Sequence, residues 1–291
     1  MTVTLRTVIF IDGENFRNNL RDFAYSSDPT LGDYRLEEKH FYWKKFFQGV
    51  ITEYDKHTGW NHQLVRVYWY YSAAISPWAE SPRLAQKIVD QYVGKVSLTT
   101  TQVTELAKDW YEKERKYFEK LREQTFEEIQ RNTGFLEFKY VGQYVIRPYN
   151  VYKLEYNPQG SVTNYLGQQQ GEKGVDIGIA VDMISKMNDF DTAILISGDA
   201  DYIPAVKYLK DHLKYVYQFS IAKGVPPKIQ YLSEYLKGIA DCFAYYDEMR
   251  LLSEFLNRKE IPFKICQAID SRIAVLKPPS LPAPITPPPV R

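Results

Sequence analysis

The stretch ILISGDADYIPAVKYL, residues 194–209, runs an apolar segment directly into two aspartates, Asp199 and Asp201. A second stretch, TVIFIDGENF at residues 7–16, does the same and ends its apolar run at Asp12. Short apolar runs bounded by turn residues predict strands buried on both faces, as in a parallel sheet. Both stretches therefore predict a buried strand whose carboxyl end carries acidic side chains.

Strand-like and helix-like patterns alternate along much of the chain. Further apolar runs predict strands at 64–71, 214–220 and 242–246. Helical periodicity predicts helices at 175–187, 202–212 and 228–241. In the first of these helices the apolar residues that recur at helical spacing are Ile177, Ala180, Val181 and Ile184. Strands that alternate with helices predict an α/β fold with a mostly parallel sheet.

Two segments depart from this alternation. Residues 78–133 are charged and helical in pattern, with Glu often followed by Lys or Arg three or four positions later. Residues 135–156 are aromatic and β-branched, and predict strands or a hairpin broken at Gly142 and Pro148. We expect one domain over residues 1–276, with 78–133 as a helical insertion.

The last fifteen residues, 277–291, form a separate segment that contains seven prolines. So much proline is incompatible with a helix or a central strand, and it predicts a flexible polyproline-type tail. Two interpretations stay open for it: a solvated tail, or a docking peptide for a protein partner.

Composition excludes several classes of protein. No stretch approaches the roughly 18 consecutive apolar residues of a membrane span. The only two cysteines, Cys242 and Cys266, form no CxxC pair, which excludes a cysteine-based zinc site. The apolar run near residue 10 ends in acid and not at a small-residue cleavage site, so we expect a cytoplasmic protein. A net charge of +1 means that any nucleic-acid binding must use a local patch.

Four aspartates are expected at one edge of the sheet. Open parallel sheets bind ligands beyond the carboxyl ends of their strands. Asp12, Asp199 and Asp201 follow strands, and Asp176 opens a helix after Gly171 and Gly174. Asp182 lies six residues beyond Asp176, about 240° around a regular helix, and is a weaker supporting candidate.

Two explanations account for these acids. Asp176 and Asp201 could each cap a helix, since Asp is favoured at helix N-termini. Capping leaves Asp12 and the Asp199–Asp201 pair unexplained, and carboxylates held close together repel one another. A hard divalent cation offsets that repulsion, and all-oxygen ligation favours Mg²⁺ or Mn²⁺. We therefore predict a metal site.

These motifs resemble, in order, those of the NYN domain, a branch of the PIN-like nucleases. The similarity covers roughly residues 5–72 and 165–247 and rests on VIFIDGENF, EKGVDIGIAVDMI, AILISGDADYIPAVKYL and VYQFSIAKGVPPKIQYLSEYLKGIADCFAYYD. It implies a Rossmann-like, three-layer α/β/α fold and metal-dependent cleavage of RNA. The acidic metal positions of the family fall on Asp12, Asp176, Asp199 and Asp201, and Asn15 and Ser197 support them.

Three further residues have predicted roles at the site. Lys173, in the loop before Gly174, is a candidate contact for a substrate phosphate. Tyr71, in VYWYYS, is the best candidate for an exposed aromatic that stacks on a base, whereas most of its neighbours suit the core. Glu14 is a candidate outer residue of the metal site.

The sequence analysis favours a Mg²⁺- or Mn²⁺-dependent ribonuclease in which the metal activates water and stabilises charge on the phosphate. One alternative is a phosphotransferase or phosphatase of the haloacid dehalogenase type, but that mechanism needs a second aspartate where Glu14 stands. The other alternative is a non-catalytic module that binds RNA or protein on the same scaffold. A nicotinamide dehydrogenase is disfavoured because no GxGxxG follows a strand.

Overall fold

The computed structural model describes residues 3–28, 30, 32–227 and 234–277. Seven strands form one sheet and two short strands form a separate hairpin. The strands are β1 (Thr4–Asp12), β2 (Ala24–Tyr25), β3 (Tyr34–Arg35), β4 (Asn61–Ile75), β5 (Leu136–Tyr156), β6 (Val162–Lys173), β7 (Thr192–Ile196), β8 (Tyr215–Ala222) and β9 (Cys242–Asp247). The order in the main sheet is β6-β5-β4-β1-β7-β8-β9, and β2 pairs with β3.

Ten α-helices accompany the strands within the part of the chain that the structure describes. They are α1 (Gly13–Arg21), α2 (Trp43–Thr58), α3 (Pro82–Gln91), α4 (Thr100–Lys120), α5 (Glu127–Thr133), α6 (Val175–Ser185), α7 (Ile203–Asp211), α8 (Glu234–Lys237), α9 (Glu248–Glu254) and α10 (Phe263–Leu276). A π-helical segment, Leu121–Phe126, joins α4 to α5. Of the helix predicted at 228–241, residues 228–233 lie outside the described residues.

The sheet is mostly parallel, as the sequence predicts. Every neighbouring pair of strands from β5 to β9 is parallel, and only the edge strand β6 runs antiparallel to its neighbour β5. Each strand predicted from an apolar run is present in this sheet. The carboxyl ends of β1 and β7 therefore lie side by side, with Ile11 opposite Ile196.

Helices cover both faces of the sheet and make three layers. Along β1 the side chains alternate, as they must in a strand. Ile9 and Ile11 join a core with α1, α2, α9 and α10, whereas Val8 and Phe10 join a second core with α6 and α7. The observed architecture is the predicted α/β/α arrangement.

Helices α3 and α4 lie within the predicted insertion, residues 78–133, and pack on the outer part of the sheet. A third apolar cluster joins them to β5 and β6 and includes Trp110, Ile146 and Tyr165. Strand β5 continues through Gly142 and Pro148, so the predicted breaks are wrong. Register shifts in its pairing with β6 accommodate the irregular positions.

The buried face of α6 differs from the one suggested by the apolar spacing. Val175, Ile179 and Met183 are buried, whereas Ile177 and Val181 are 70% and 57% exposed. Apolar residues lie all round this helix, so helical periodicity alone could not identify the face that meets the sheet.

None of the helices that the structure describes is long and apolar enough to cross a membrane. The polyproline-type tail predicted at 277–291 lies, from residue 278 onward, outside the described residues.

Candidate functional site at the carboxyl edge of the sheet

Asp12 is the last residue of β1 and caps α1. Its Oδ1 accepts a hydrogen bond from the backbone N–H of Asn15 at 3.0 Å. Its Oδ2 accepts hydrogen bonds from the hydroxyls of Ser197 and Tyr202, each at 3.1 Å. Only 5% of Asp12 is exposed. The apolar strand places this carboxylate inside the protein, and three donors surround it there.

A second turn, after β7, is bonded to the turn after β1. The side-chain Oδ1 of Asn15 accepts from the backbone N–H of Gly198 at 3.0 Å. Within the second turn, Asp199 N–H donates to Ser197 Oγ at 3.1 Å, and Asp201 N–H donates to Asp199 Oδ1 at 3.0 Å. Parallel pairing of β1 with β7 brings the two turns together, and these bonds fix their relative position.

The third contribution comes from the start of α6. Gly174 precedes this helix with a φ of +81°, a left-handed conformation that favours glycine. Asp176 lies in the first turn, where its Oδ1 is 3.5 Å from the Tyr202 hydroxyl. Tyr202 therefore lies between the carboxylates of Asp12 and Asp176.

The charges of the four aspartates influence one another. The pKa of Asp12 is raised to about 6: burial is the main cause, the neighbouring charge of Asp176 adds to it, and the hydrogen bonds that Asp12 accepts oppose it. Burial also raises the pKa of Asp176, and the charges of Asp199 and Asp201 add to that increase. Negative charge is thus concentrated at one edge of the sheet.

The four aspartates have the donor chemistry of a divalent-metal site. In the described ranges, no three His, Cys, Asp or Glu side chains are already grouped to hold a metal ion. The donor chemistry nevertheless fits, because the acids offer only oxygen ligands and neighbouring negative charges raise the pKa of Asp12 and of Asp176. A cation is the partner that favours the ionised form of every member.

Capping occurs at this edge, but not at the predicted aspartates. Asp12 caps α1, and Asp199 caps the 3₁₀ turn Ala200–Tyr202. Neither Asp176 nor Asp201 caps a helix: Gly174 occupies the N-cap position of α6 and offers no side-chain cap, and Asp201 lies inside the 3₁₀ turn. Capping therefore accounts for a structural role of Asp12 and Asp199. Asp176 and Asp201 make no capping hydrogen bond, and each lies in the first turn of its helix, where negative charge is favourable.

The other predicted site residues, Asp182, Lys173 and Tyr71, make no hydrogen bond to Asp12. Asp182 accepts from the Tyr70 hydroxyl at 2.7 Å and pairs with Lys186 at 2.6 Å, outside the Asp12 network. Lys173 is exposed at the end of β6. The prediction that Tyr71 is exposed is wrong: only 4% of it is accessible, because β4 directs it toward the core.

Sequence reasoning missed two residues of this edge. Tyr202 contacts two of the aspartates, but it is one of 24 tyrosines and nothing in its spacing distinguishes it. Glu172 is the other: burial raises its pKa to about 7. Its backbone N–H donates to Glu14 Oε2 at 2.7 Å. The strand that carries Glu172 pairs antiparallel to its neighbour, and no apolar run marks it in the sequence.

The structure is a three-layer α/β fold with acids at the carboxyl edge of its sheet. The NYN domain family model matches residues 6–247, most of the chain. The chain therefore belongs to the NYN domain family. Members of this family are generally nucleases and generally depend on a metal.

No curated protein matches the chain. Among solved structures, a protein of unknown function from Vibrio parahaemolyticus is similar, with 18% sequence identity and a TM-score of 0.41. The alignment covers 87% of this chain and 96% of that one. A similarity of this size supports no argument about function.

Proposed function

We propose that this protein is a divalent-metal-dependent ribonuclease that hydrolyses RNA phosphodiester bonds. The observation that carries the proposal is the burial of Asp12 between two hydrogen-bonded turns, next to Asp176. A carboxylate with a raised pKa is costly to keep ionised unless a cation is nearby. Membership of a family of nucleases makes a phosphodiester the substrate class that best fits such a cation.

The proposed ribonuclease reaction gives each residue of the site a role. Asp12, Asp176, Asp199 and Asp201 would hold Mg²⁺ or Mn²⁺, which when bound supplies an activated water and neutralises charge on the phosphate. The positioning residues are Ser197, Asn15 and Tyr202, whose hydrogen bonds fix Asp12 and the turn after β7. Exposed Lys173, three residues before Asp176, would contact a phosphate of the substrate.

The test is cleavage of a labelled single-stranded RNA with Mn²⁺ or Mg²⁺, with and without EDTA. Asp199→Asn keeps the shape of the side chain and removes a ligand charge, so we expect activity to fall by more than about 100-fold, beyond the loss typical of outer residues at metal sites. Asp182→Asn is the matched control, because Asp182 bonds Tyr70 and Lys186 and not the cluster. Equal losses in both variants would contradict the assignment.

The alternative is a module that binds RNA or protein without catalysis. It predicts that the protein binds RNA but does not cleave it with any metal ion. The variants Asp199→Asn and Asp182→Asn would then have the same effect.

Both cysteines, Cys242 and Cys266, are unpaired thiols in the structure. This suits the reducing cytoplasm, the compartment in which we propose that the protein acts.

A further inference from the structure

A cavity lies beside the acidic edge, between the sheet and the helices of the predicted insertion. It offers about 80 Å³ to the centres of water molecules. One buried water needs roughly 10–15 Å³ of such space, so the cavity has room for several waters or for one planar ring. Tyr117 and Arg122 line it and are exposed, so the cavity opens to solvent on the side of α4.

The insertion supplies aromatic and cationic groups to this cavity. Leu121, Arg122 and Phe126 line it and belong to the π-helical segment. Such segments are rare and frequently lie at functional sites. The ring of Phe126 stacks on Tyr71, with centroids 4.3 Å apart. Phe126 also stacks on Phe138, so these buried rings form a rigid wall. Tyr117 lines the cavity and is 58% exposed, and it offers the aromatic surface on which a nucleobase would stack.

Helix α1 supplies a hydrogen-bond donor without a partner. Arg17 lines the cavity, and its Nε donates to Glu38 at 2.7 Å. Its buried Nη2 has no hydrogen-bond partner among the described residues. The same guanidinium lies 5.0 Å from the centroid of the Tyr71 ring. An unpaired buried N–H is costly, and a small shift of the Arg17 side chain toward the cavity would let an acceptor atom of a ligand satisfy it.

Two acids of the cavity wall, Glu14 and Glu172, are close in sequence to Asp12 and Asp176. The backbone N–H of Glu172 donates to Glu14 Oε2 at 2.7 Å. Glu14 is two residues after Asp12, which limits their Cα atoms to a separation of about 7.6 Å. Glu172 is four residues before Asp176. We infer that a phosphate at the acids and a base in the cavity belong to the same RNA strand.

We propose that this cavity is a nucleobase-binding subsite, which takes one unpaired base of the RNA with an acceptor atom toward Arg17. The inference rests on the proposed function for its substrate. Because a paired base cannot leave its duplex without cost, the subsite makes the enzyme selective for single-stranded segments. The insertion is then a specificity element, since its π-helical segment forms one wall of the subsite.

Binding is tested without catalysis, in EDTA, by fluorescence anisotropy of a labelled six-nucleotide RNA. The same RNA with one abasic position, moved along the strand, reports whether a base is needed. Tyr117→Ala opens the mouth of the cavity at an exposed residue, and Leu121→Trp fills it. Tyr152→Ala, at a tyrosine that is 78% exposed and does not line the cavity, is the matched control.

We expect one abasic position to weaken binding by about tenfold, the scale of a lost stacked base. Both cavity variants should weaken binding of the intact strand by a similar factor. They should have little further effect on binding of that abasic strand. The control variant Tyr152→Ala should bind both strands as the wild type does. Cavity variants that bind the intact strand normally would overturn the subsite, even if the protein cleaves RNA. Base-dependent binding without cleavage in Mn²⁺ would instead keep the subsite and contradict the proposed nuclease.

Discussion

At the scale of single residues, Asp12 is the most constrained group of the candidate site. It caps a helix, accepts two hydroxyl hydrogen bonds and is buried. These bonds favour the ionised form, but burial outweighs them and raises its pKa to about 6. The protein therefore maintains a carboxylate whose ionisation opposes folding at neutral pH.

This balance predicts a pH-dependent effect of Asp12→Asn. A carboxyl whose folded pKa lies above its unfolded value, near 4, costs stability as it ionises: the cost is absent below pH 4, grows up to pH 6 and is complete above it. Asn lacks this titration and remains a good N-cap. In EDTA, we expect the stability of Asp12→Asn relative to wild type to increase by about 1 kcal/mol between pH 5 and pH 7.5.

Urea unfolding of both proteins at the two pH values measures that difference. The other acids titrate in both proteins, so most of their contribution cancels. A difference that stays constant, or that shrinks as the pH rises, would show that burial does not control the ionisation of Asp12.

At the scale of elements, the turn from β6 into α6 depends on a close approach by β5. A Cβ on Gly142 would overlap the backbone oxygen of Lys173 and lie 3.0 Å from the N atom of Val175. Only glycine allows β5 to pass so near the turn that carries Asp176. Gly142, which was expected to break the strand, therefore allows the close contact that positions Asp176.

Gly142→Ala should accordingly be more harmful than Gly160→Ala. Both glycines have positive φ, +64° and +78°, so each alanine costs about 1–2 kcal/mol of backbone strain. Only Gly142 has neighbours in the way, whereas nothing lies within 4 Å of a Cβ on Gly160. We expect urea unfolding to show a larger loss for Gly142→Ala, and Mn²⁺ to stabilise this variant less. Equal losses would mean that the close approach can relax freely.

At the scale of the whole molecule, a shared metal should couple the turn after β1, the turn after β7 and the start of α6. A ligand that binds only the folded state raises its stability by RT ln(1 + [L]/Kd), about 2.7 kcal/mol at 100 times Kd. The same ion relieves the repulsion among the four aspartates, so each acid contributes to the stabilisation.

Thermal melts should show this coupling. We expect millimolar Mn²⁺ to raise the midpoint of the wild type and of Asp182→Asn equally, and to raise those of Asp12→Asn and Asp199→Asn much less. EDTA should reverse the increase. If Mn²⁺ leaves the wild-type midpoint unchanged, the four aspartates do not share a metal.

The amino-acid sequence by itself determined the parallel sheet, the α/β class and the family. Apolar runs mark strands that are buried on both faces, and their order along the chain places Asp12 and the Asp199 turn at one edge. These features depend on residues close together in sequence, which is why local patterns were sufficient to predict them.

The contacts among side chains at the carboxyl edge of the sheet depend on the tertiary structure. The contacts of Tyr202 with Asp12 and Asp176, the burial of Tyr71 and the cavity beside Glu14 join residues from distant parts of the chain. In a strand rich in aromatic residues, the local sequence does not show which side chains face the core. Strand β6, which carries Glu172, contains no apolar run that would mark it as a strand. These properties follow from which elements pack together, and no periodicity within a single element encodes that choice.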